Sequence, residues 1–444
     1  MKRHQVVGWA LVLSGPCWGL ALAASTDWIV ARQQLPGVFG RLMDRHAISV
    51  SADGRFVAFT SLARLSPLDT NDLTDVYVLD LERSVLTLES ITTAGTPANG
   101  DSMRPSLSGD GRFLVFDSLA SNLTSDTGTV ADTEVYLRDR RHAQTRRLLI
   151  ANHGSVSALP SSGASISADG RFVVLAARAA GQSQGQVYRL SLDSGDATLV
   201  SVMADGRSPA SGGSFNPSIS DDGHLVSFES EAALDPLYPP AAVHMVSVYV
   251  RDLDAGTTLC VGCVVEGAGV RRRTLASRIS GDGKDVVFVA DELIQVDGQV
   301  RLNGNIWLYD RVSSATTLVT RASNGQAANG SSRAPVVSAS GDVIVFESDA
   351  SNLACARRCS SDAGDENLLP DIYRYDRRSG RTTRISGRRE TWWDPSVSPA
   401  MDASGRVIAF SSRHPVGPLD LHSDFDLFVW INPASSVVSD VRHP

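Results

Sequence analysis

The sequence carries no His-Glu-x-x-His metal motif and no Gly-Lys-Ser/Thr phosphate loop. It therefore lacks the local signatures of zinc proteases and nucleotide hydrolases. Basic residues are in the minority, 41 Lys and Arg against 49 Asp and Glu, for a net charge of −8. A chain of that sign is poorly suited to gripping phosphates, so no nucleic-acid partner is expected. Aromatic residues make up only 6% of the chain, and cysteines number five. Beyond the N-terminal segment no run approaches the ~18 consecutive apolar residues of a membrane-spanning helix. What is present, 42% hydrophobic and 20% charged residues, is enough for a packed core and excludes a largely disordered chain.

The basic start Met1-Lys2-Arg3-His4 precedes an apolar run from Val6 to Ala24 that ends in Ala21-Leu22-Ala23. This order is that of a secretory signal peptide over residues 1–23, cleaved before Ala24. The expectation is a periplasmic or secreted protein with no transmembrane segment after cleavage.

One phrase then recurs along the chain, Ser-x-Asp-Gly followed by apolar alternation. The copies are Ser51–Gly54, Ser108–Gly111, Ser167–Gly170, Ser220–Gly223 and Ser280–Gly283, with variants at Ser338–Gly341 and Asp402–Gly405. Successive glycines lie 57, 59, 53, 60, 58 and 64 residues apart, too long a period for helical-pair repeats. Asp-Gly between alternating apolar residues signals a hairpin. A third run, such as Asp75–Asp80 or Asp371–Asp376, and a fourth, such as Ala315–Thr320, complete each unit. Each copy thus reads as a four-stranded antiparallel meander, and seven meanders share one core when packed radially. The expected fold is all-β, a single seven-bladed β-propeller over 24–444, with copies beginning near 47, 105, 164, 217, 277, 335 and 399. Asp27–Arg32 reads like a fourth strand and so offers to close the seventh blade, with Ser436–Ser439 as the alternative closing strand.

The phrases Ser-Ala-Asp-Gly-Arg-Phe-Val-Ala-Phe-Thr-Ser and Asp-Val-Tyr-Val-Leu-Asp resemble the TolB-like, WD-like propeller repeat of exported bacterial proteins. The resemblance spans roughly residues 45 to 435 and implies the fold. It is silent on activity, because such propellers include binding scaffolds, enzymes and modules attached to hydrolases. The α/β domain that precedes the propeller in TolB has no counterpart in the short stretch before the first copy.

In a meander the Asp-Gly turns share one face, and the strand two-to-three loops and blade-to-blade loops share the other, where a site is expected. Asp69-x-Asn71-x-Leu73-x-Asp75 matches the calcium-loop-like signature that the resemblance implies, with the carbonyl of Leu73 among the oxygen ligands. The competing reading is a turn in which Asp and Asn cap backbone N–H groups. Imperfect versions stand at Asp126, Asp132 and Glu134, at Asp362, Asp365 and Asp371, and at Asp420, Asp424 and Asp426. Cys260 with Cys263 and Cys355 with Cys359 form two local pairs, read as disulfides in an exported chain, with a zinc site as the alternative. Trp392 and Trp393, before Pro395, offer stacking faces to a sugar or a partner loop, or else cover a neighbouring blade. Arg271–Arg273 reads as a solvated turn, and His224, His244, His414 and His422 do not recur at one blade position. The functional expectation is a non-catalytic scaffold binding a protein or glycan on the loop-rich face and stabilised by Ca²⁺. The rival is a propeller hydrolase or lyase acting on a saccharide or peptide.

Overall fold

A computed structural model describes residues 28–31, 48–125, 133–150, 157–158, 163–178, 184–235, 237, 246–264, 273–296, 299–322, 324–353, 369–386, 395–413 and 426–432. The recurring turn explains its framework. In the first copy Ser51 Oγ donates to Asp53 Oδ1 (2.5 Å) and accepts from the Phe56 amide (2.9 Å). Asp53 Oδ1 also accepts from the Arg55 amide (2.9 Å). One serine and one aspartate therefore satisfy the groups of a tight turn whose glycine has φ +75°, a region that residues with a Cβ seldom enter. The same Ser–Asp bond closes the second to fifth turns.

Each turn leads from an innermost strand to a second strand. Blade 1 comprises Ile48–Val50, Phe56–Ser61, Asp75–Asp80 and Val85–Leu88, paired antiparallel in that order. Seven such blades form the ring, as the sequence predicts. In blade 3 the innermost strand is in two pieces, Ser157–Ala158 and Ser165–Ile166, both paired with Phe172–Arg178. Blade 7 comprises Ser396–Met401, Val407–Ser412 and Asp426–Ile431, and its outer strand is Trp28–Ala31 from the N-terminus. Trp28 stands opposite Trp430 and Ala31 opposite Leu427, so the N-terminal closure is the one adopted. Ser436–Ser439 lies outside the described residues.

Strand alternation sends every second side chain toward each neighbouring blade. Val57 and Phe59 pack with Ala409 and Leu427 of blade 7, while Ala58 packs with Leu114 and Phe116 of blade 2. The core is thus a series of inter-blade layers. Within blades, Phe59 stacks on Tyr77 and Phe116 on Tyr136, at 5.9 Å between centroids in both, and such pairs contribute ~0.5–1.5 kcal/mol beyond their burial.

The turns are themselves linked. Amide-to-carbonyl bonds of 2.8–3.2 Å run from Ala52 to Gly109, Gly109 to Ala168, Asp169 to Asp221, Asp221 to Gly281, Asp282 to Ala339, Ala339 to Ala403, and Ala403 back to Ala52. This closed circle holds the turn-bearing face. Each turn glycine also lies against the first residue of the preceding blade's second strand. A Cβ on Gly111 (φ +65°) would stand 2.3 Å from the Phe56 ring. By contrast, Gly95 (φ +86°), in a surface turn, has nothing within 4 Å of that position.

The opposite face varies. In blade 5 the second and third strands, Asp285–Val296 and Gln299–Asp310, run for 12 residues each. Their pairing continues from Asp291 opposite Gly304 to Val296 opposite Gln299, a ribbon that projects about 20 Å past the strand ends of its neighbours.

Gly95→Ala isolates the conformational penalty of a positive φ, about 1–2 kcal/mol. Gly111→Ala adds the clash with Phe56, raising the loss to about 3–5 kcal/mol. Urea unfolding midpoints of the two variants check this; equal losses would show that the inter-blade contact is unimportant.

Candidate functional site

The loop that enters the third strand of blade 1 is organised by side-chain oxygens accepting from the backbone two residues on. Asp69 Oδ1 accepts from the Asn71 amide (3.2 Å), and Asn71 Oδ1 accepts from the Leu73 amide (2.9 Å). Asn71 Nδ2 donates to the Ala98 carbonyl (3.0 Å), and Asp101 Oδ1 accepts from the Thr74 amide (2.9 Å). Asp69 is buried, and its Oδ2 accepts from the Tyr77 hydroxyl (2.5 Å). Burial, reinforced by Asp69, holds that phenol well above its usual range.

Asp75 lies deeper, with no exposed surface. Its Oδ1 accepts from Ser90 Oγ (2.5 Å), whose oxygen in turn accepts from the Val76 amide (3.0 Å). The same relay recurs: Ser201 donates to Gln186 (2.6 Å), Thr320 to Asn305 (2.9 Å) and Ser386 to Asp371 (2.6 Å). Two of these acceptors are neutral amides, and Asp371 has Arg384 at 3.0 Å. Asp75 Oδ2, in contrast, is buried with no hydrogen-bond partner. Desolvation, with the charges of Asp69 and Asp101, raises the Asp75 carboxyl to about 7 despite the Ser90 bond.

The four residues singled out by spacing therefore share one loop and strand start, and each also has a structural task. Among the described residues, no group of three or more His, Cys, Asp and Glu side chains is placed to hold a metal ion. Asp126, Asp132, Asp362, Asp365, Asp420 and Asp424 lie outside the described residues, as do Trp392, Trp393, Cys355, Cys359, Arg271, Arg272, His244, His414 and His422. Cys260 and Cys263 are joined by a disulfide, with Cα atoms 5.4 Å apart. His224 Nδ1 is 2.7 Å from Asp254 on the turn-bearing face, and Arg273 pairs with Asp291 at 2.8 Å.

A feature that the sequence reading missed lies on the axis. The innermost strands of blades 2, 4, 5, 6 and 7 each slip register at a bulge. The bulge residues Arg104, Asn216, Ala276, Ala334 and Ser398 have φ between 49° and 57°, which costs on the order of 1–3 kcal/mol each outside glycine. Buried carboxylates from second strands brace several of them. Glu229 Oε1 accepts from the Ala276 amide of the next blade (2.7 Å) and from Asn216 Nδ2 (3.0 Å). Glu347 Oε1 accepts from the Ser398 amide (2.6 Å), and Arg104 pairs with Asp117 at 2.7 Å. The recurring Phe-Asp-Ser and Phe-Glu-Ser at the ends of second strands carried this signal. The bulged strands surround an axial cavity of about 210 Å³, whose walls include Arg104 and Arg278.

Asp75→Asn keeps an acceptor for Ser90 and removes a charge from a site that disfavours it. A carboxyl raised in the folded state contributes stability that is fully present below its unfolded value near 4 and is lost as pH rises through about 7. In chelator, the variant is expected to match the parent at pH 4–5 and to exceed it by ~1–4 kcal/mol at pH 8. A pH-independent difference in unfolding free energy would contradict this.

No protein-family model matches the chain, and no curated protein matches it. Among solved structures, oligogalacturonate lyase from Vibrio parahaemolyticus is similar at 12% identity and a TM-score of 0.52, covering 92% of each chain. An oligogalacturonate lyase in complex with manganese is similar at 13% identity, again with a TM-score of 0.52 and 92% of each chain. TolB from Acinetobacter baumannii is similar at 14% identity and a TM-score of 0.36, over 85% of this chain and 80% of that one. At these identities likeness extends to the fold alone: the TolB-like repeat read in the sequence is here the blade of a seven-bladed β-propeller.

Proposed function

We propose that the protein is a non-catalytic scaffold, exported to the periplasm or beyond, that binds a protein or glycan partner on its loop-rich face. The supporting observation is the contrast between the two faces. One is fixed by a repeated turn and a closed circle of backbone bonds, whereas the other carries connections of different length, including the blade 5 ribbon. A rigid frame presenting varied loops is an arrangement suited to recognition. Among the described residues no helix is long and apolar enough to cross a membrane.

The lyase reading is the specific alternative, because two oligogalacturonate lyases share the fold over 92% of this chain. Incubation with oligogalacturonate and Mn²⁺, followed by ultraviolet absorbance of the unsaturated product, separates the two. The scaffold predicts no product. It also predicts that photo-crosslinkers on the blade 5 ribbon capture a partner while one at Ser194, on the turn-bearing face, does not. Steady product formation would establish the lyase instead. Trp392→Ala with Trp393→Ala is expected to leave the melting temperature nearly unchanged while weakening partner capture.

Calcium is the second part of the proposal. A divalent cation near Asp69, Asn71, Leu73 and Asp75 would answer the carboxylate oxygen that has no donor and relieve repulsion among Asp69, Asp75 and Asp101. Binding to the folded state alone adds ~2.7 kcal/mol at a hundredfold excess over the dissociation constant. Melts in calcium are thus expected to exceed those in chelator, with the gain reduced by Asp69→Ala. Titration calorimetry showing no calcium binding at millimolar concentrations would leave the loop as a turn only.

A further inference from the structure

One position of the innermost strand, two residues before the turn serine or its equivalent, reads Ser49, Ser106, Ser165, Ser218, Arg278, Val336 and Ala400 around the ring. The serines there tie blades together. Ser49 Oγ accepts from the Leu107 amide (3.0 Å), Ser106 Oγ from the Ile166 amide (3.2 Å) and Ser218 Oγ from the Ile279 amide (3.3 Å), each in the next blade. A hydroxyl used as an acceptor in this way keeps its own proton for another group. Val336 and Ala400 show that the frame also tolerates an apolar side chain at this position. A guanidinium at 278 is therefore not something that the repeat requires.

Arg278 lines the axial cavity, with one nitrogen donating to the Ser277 carbonyl (2.7 Å). The polar side chains in the cavity wall are Ser49, Arg104, Ser106, Ser165 and Arg278. All can donate hydrogen bonds, and no Asp or Glu is among the lining residues. A wall whose charged groups are two guanidiniums, that of Arg104 already paired with Asp117, and that holds no carboxylate is matched to an anion rather than to a cation. The rest of the wall is apolar, including Ile48, Val50, Val336 and Met401, which favours an organic body over a hydrated inorganic ion.

We infer that the axial cavity binds a small organic carboxylate, with Arg278 as its ion-pairing residue and the hydroxyls of Ser49 and Ser106 as further donors. The cavity, at about 210 Å³, suits a single small acid rather than a polymer. This site stands on the axis and is independent of the loop-rich face, so it survives or fails apart from the proposed scaffold role.

The test uses the full chain at constant ionic strength, titrated calorimetrically with pentanoate and with galacturonate; pentanamide and galactose are the uncharged counterparts. The expected result is saturable binding of at least one acid and of neither neutral compound. Whichever acid binds identifies the body, aliphatic or sugar-like, that the cavity prefers. Arg278→Ser restores the residue found in blades 1 to 4, and Arg278→Gln keeps most of the side chain's length without its charge. Both variants are expected to unfold like the parent and to bind the acid about tenfold more weakly or worse. Absence of binding by both acids, equal binding of the neutral compounds, or parental affinity in a folded Arg278→Ser or Arg278→Gln protein would overturn the assignment.

Discussion

Ring closure is the constraint on which the rest of this structure depends. Seven sheets meet around one axis only if each presents the same short turn at the same radius. The circle of amide-to-carbonyl bonds from Ala52 through Gly109, Asp221, Ala339 and Ala403 back to Ala52 is the local expression of that condition. Each bond is individually modest, about 1 kcal/mol net. Their effect is geometric, because a turn that moved out of line would break a bond on each side and carry its glycine off the side chain of the preceding blade. The seam between blades 7 and 1 is closed again at the rim, where Trp28–Ala31 pairs with the third strand of blade 7.

Closure also explains where freedom remains. With the turn-bearing face held, sequence change accumulates in the loops of the opposite face, and in blade 5 as a ribbon twice the usual strand length. Residues inside the ring are constrained in another way. The bulges that line the axis place ordinary residues at positive φ, and those at Ala276 and Ser398 have their amides held by Glu229 and Glu347 of an adjacent blade. These buried carboxylates make blade-to-blade contact specific, whereas the aliphatic layers between blades make it strong.

The fold was legible in the sequence because its punctuation is local. Ser-x-Asp-Gly satisfies its own turn, and even the seventh copy, where the two polar residues exchange places, keeps the chemistry. Asp402 Oδ1 accepts the Val407 amide (2.9 Å) that a serine oxygen accepts elsewhere, and Ser404 donates to Asp402 Oδ2 (2.6 Å). The closing strand was likewise readable from the similarity of Asp27–Arg32 to the outer strands. The ribbon went unread although Asp297-Gly298 between Leu293–Val296 and Val300–Leu302 is itself a hairpin signal. The site was less legible, for a physical reason. Spacing marks Asp75 as an oxygen ligand, but its partner Ser90 stands just past the end of the neighbouring strand, Val85–Leu88, and the relay appears only when four blades are compared. The bulge residues are Arg, Asn, Ala or Ser, with no common type to mark them, and the acids that hold the Ala276 and Ser398 amides lie about 50 residues away in sequence.

Whether one closed circle locks all seven blades can be read from native-state hydrogen exchange at its donor amides, those of Ala52, Gly109, Asp169, Asp221, Asp282, Ala339 and Ala403. A locked circle requires that they exchange only through global unfolding and with one common free energy, the seam included. Exchange of Ala403 and Ala52 through a local opening several kcal/mol below the global value, with the others still protected, would contradict it.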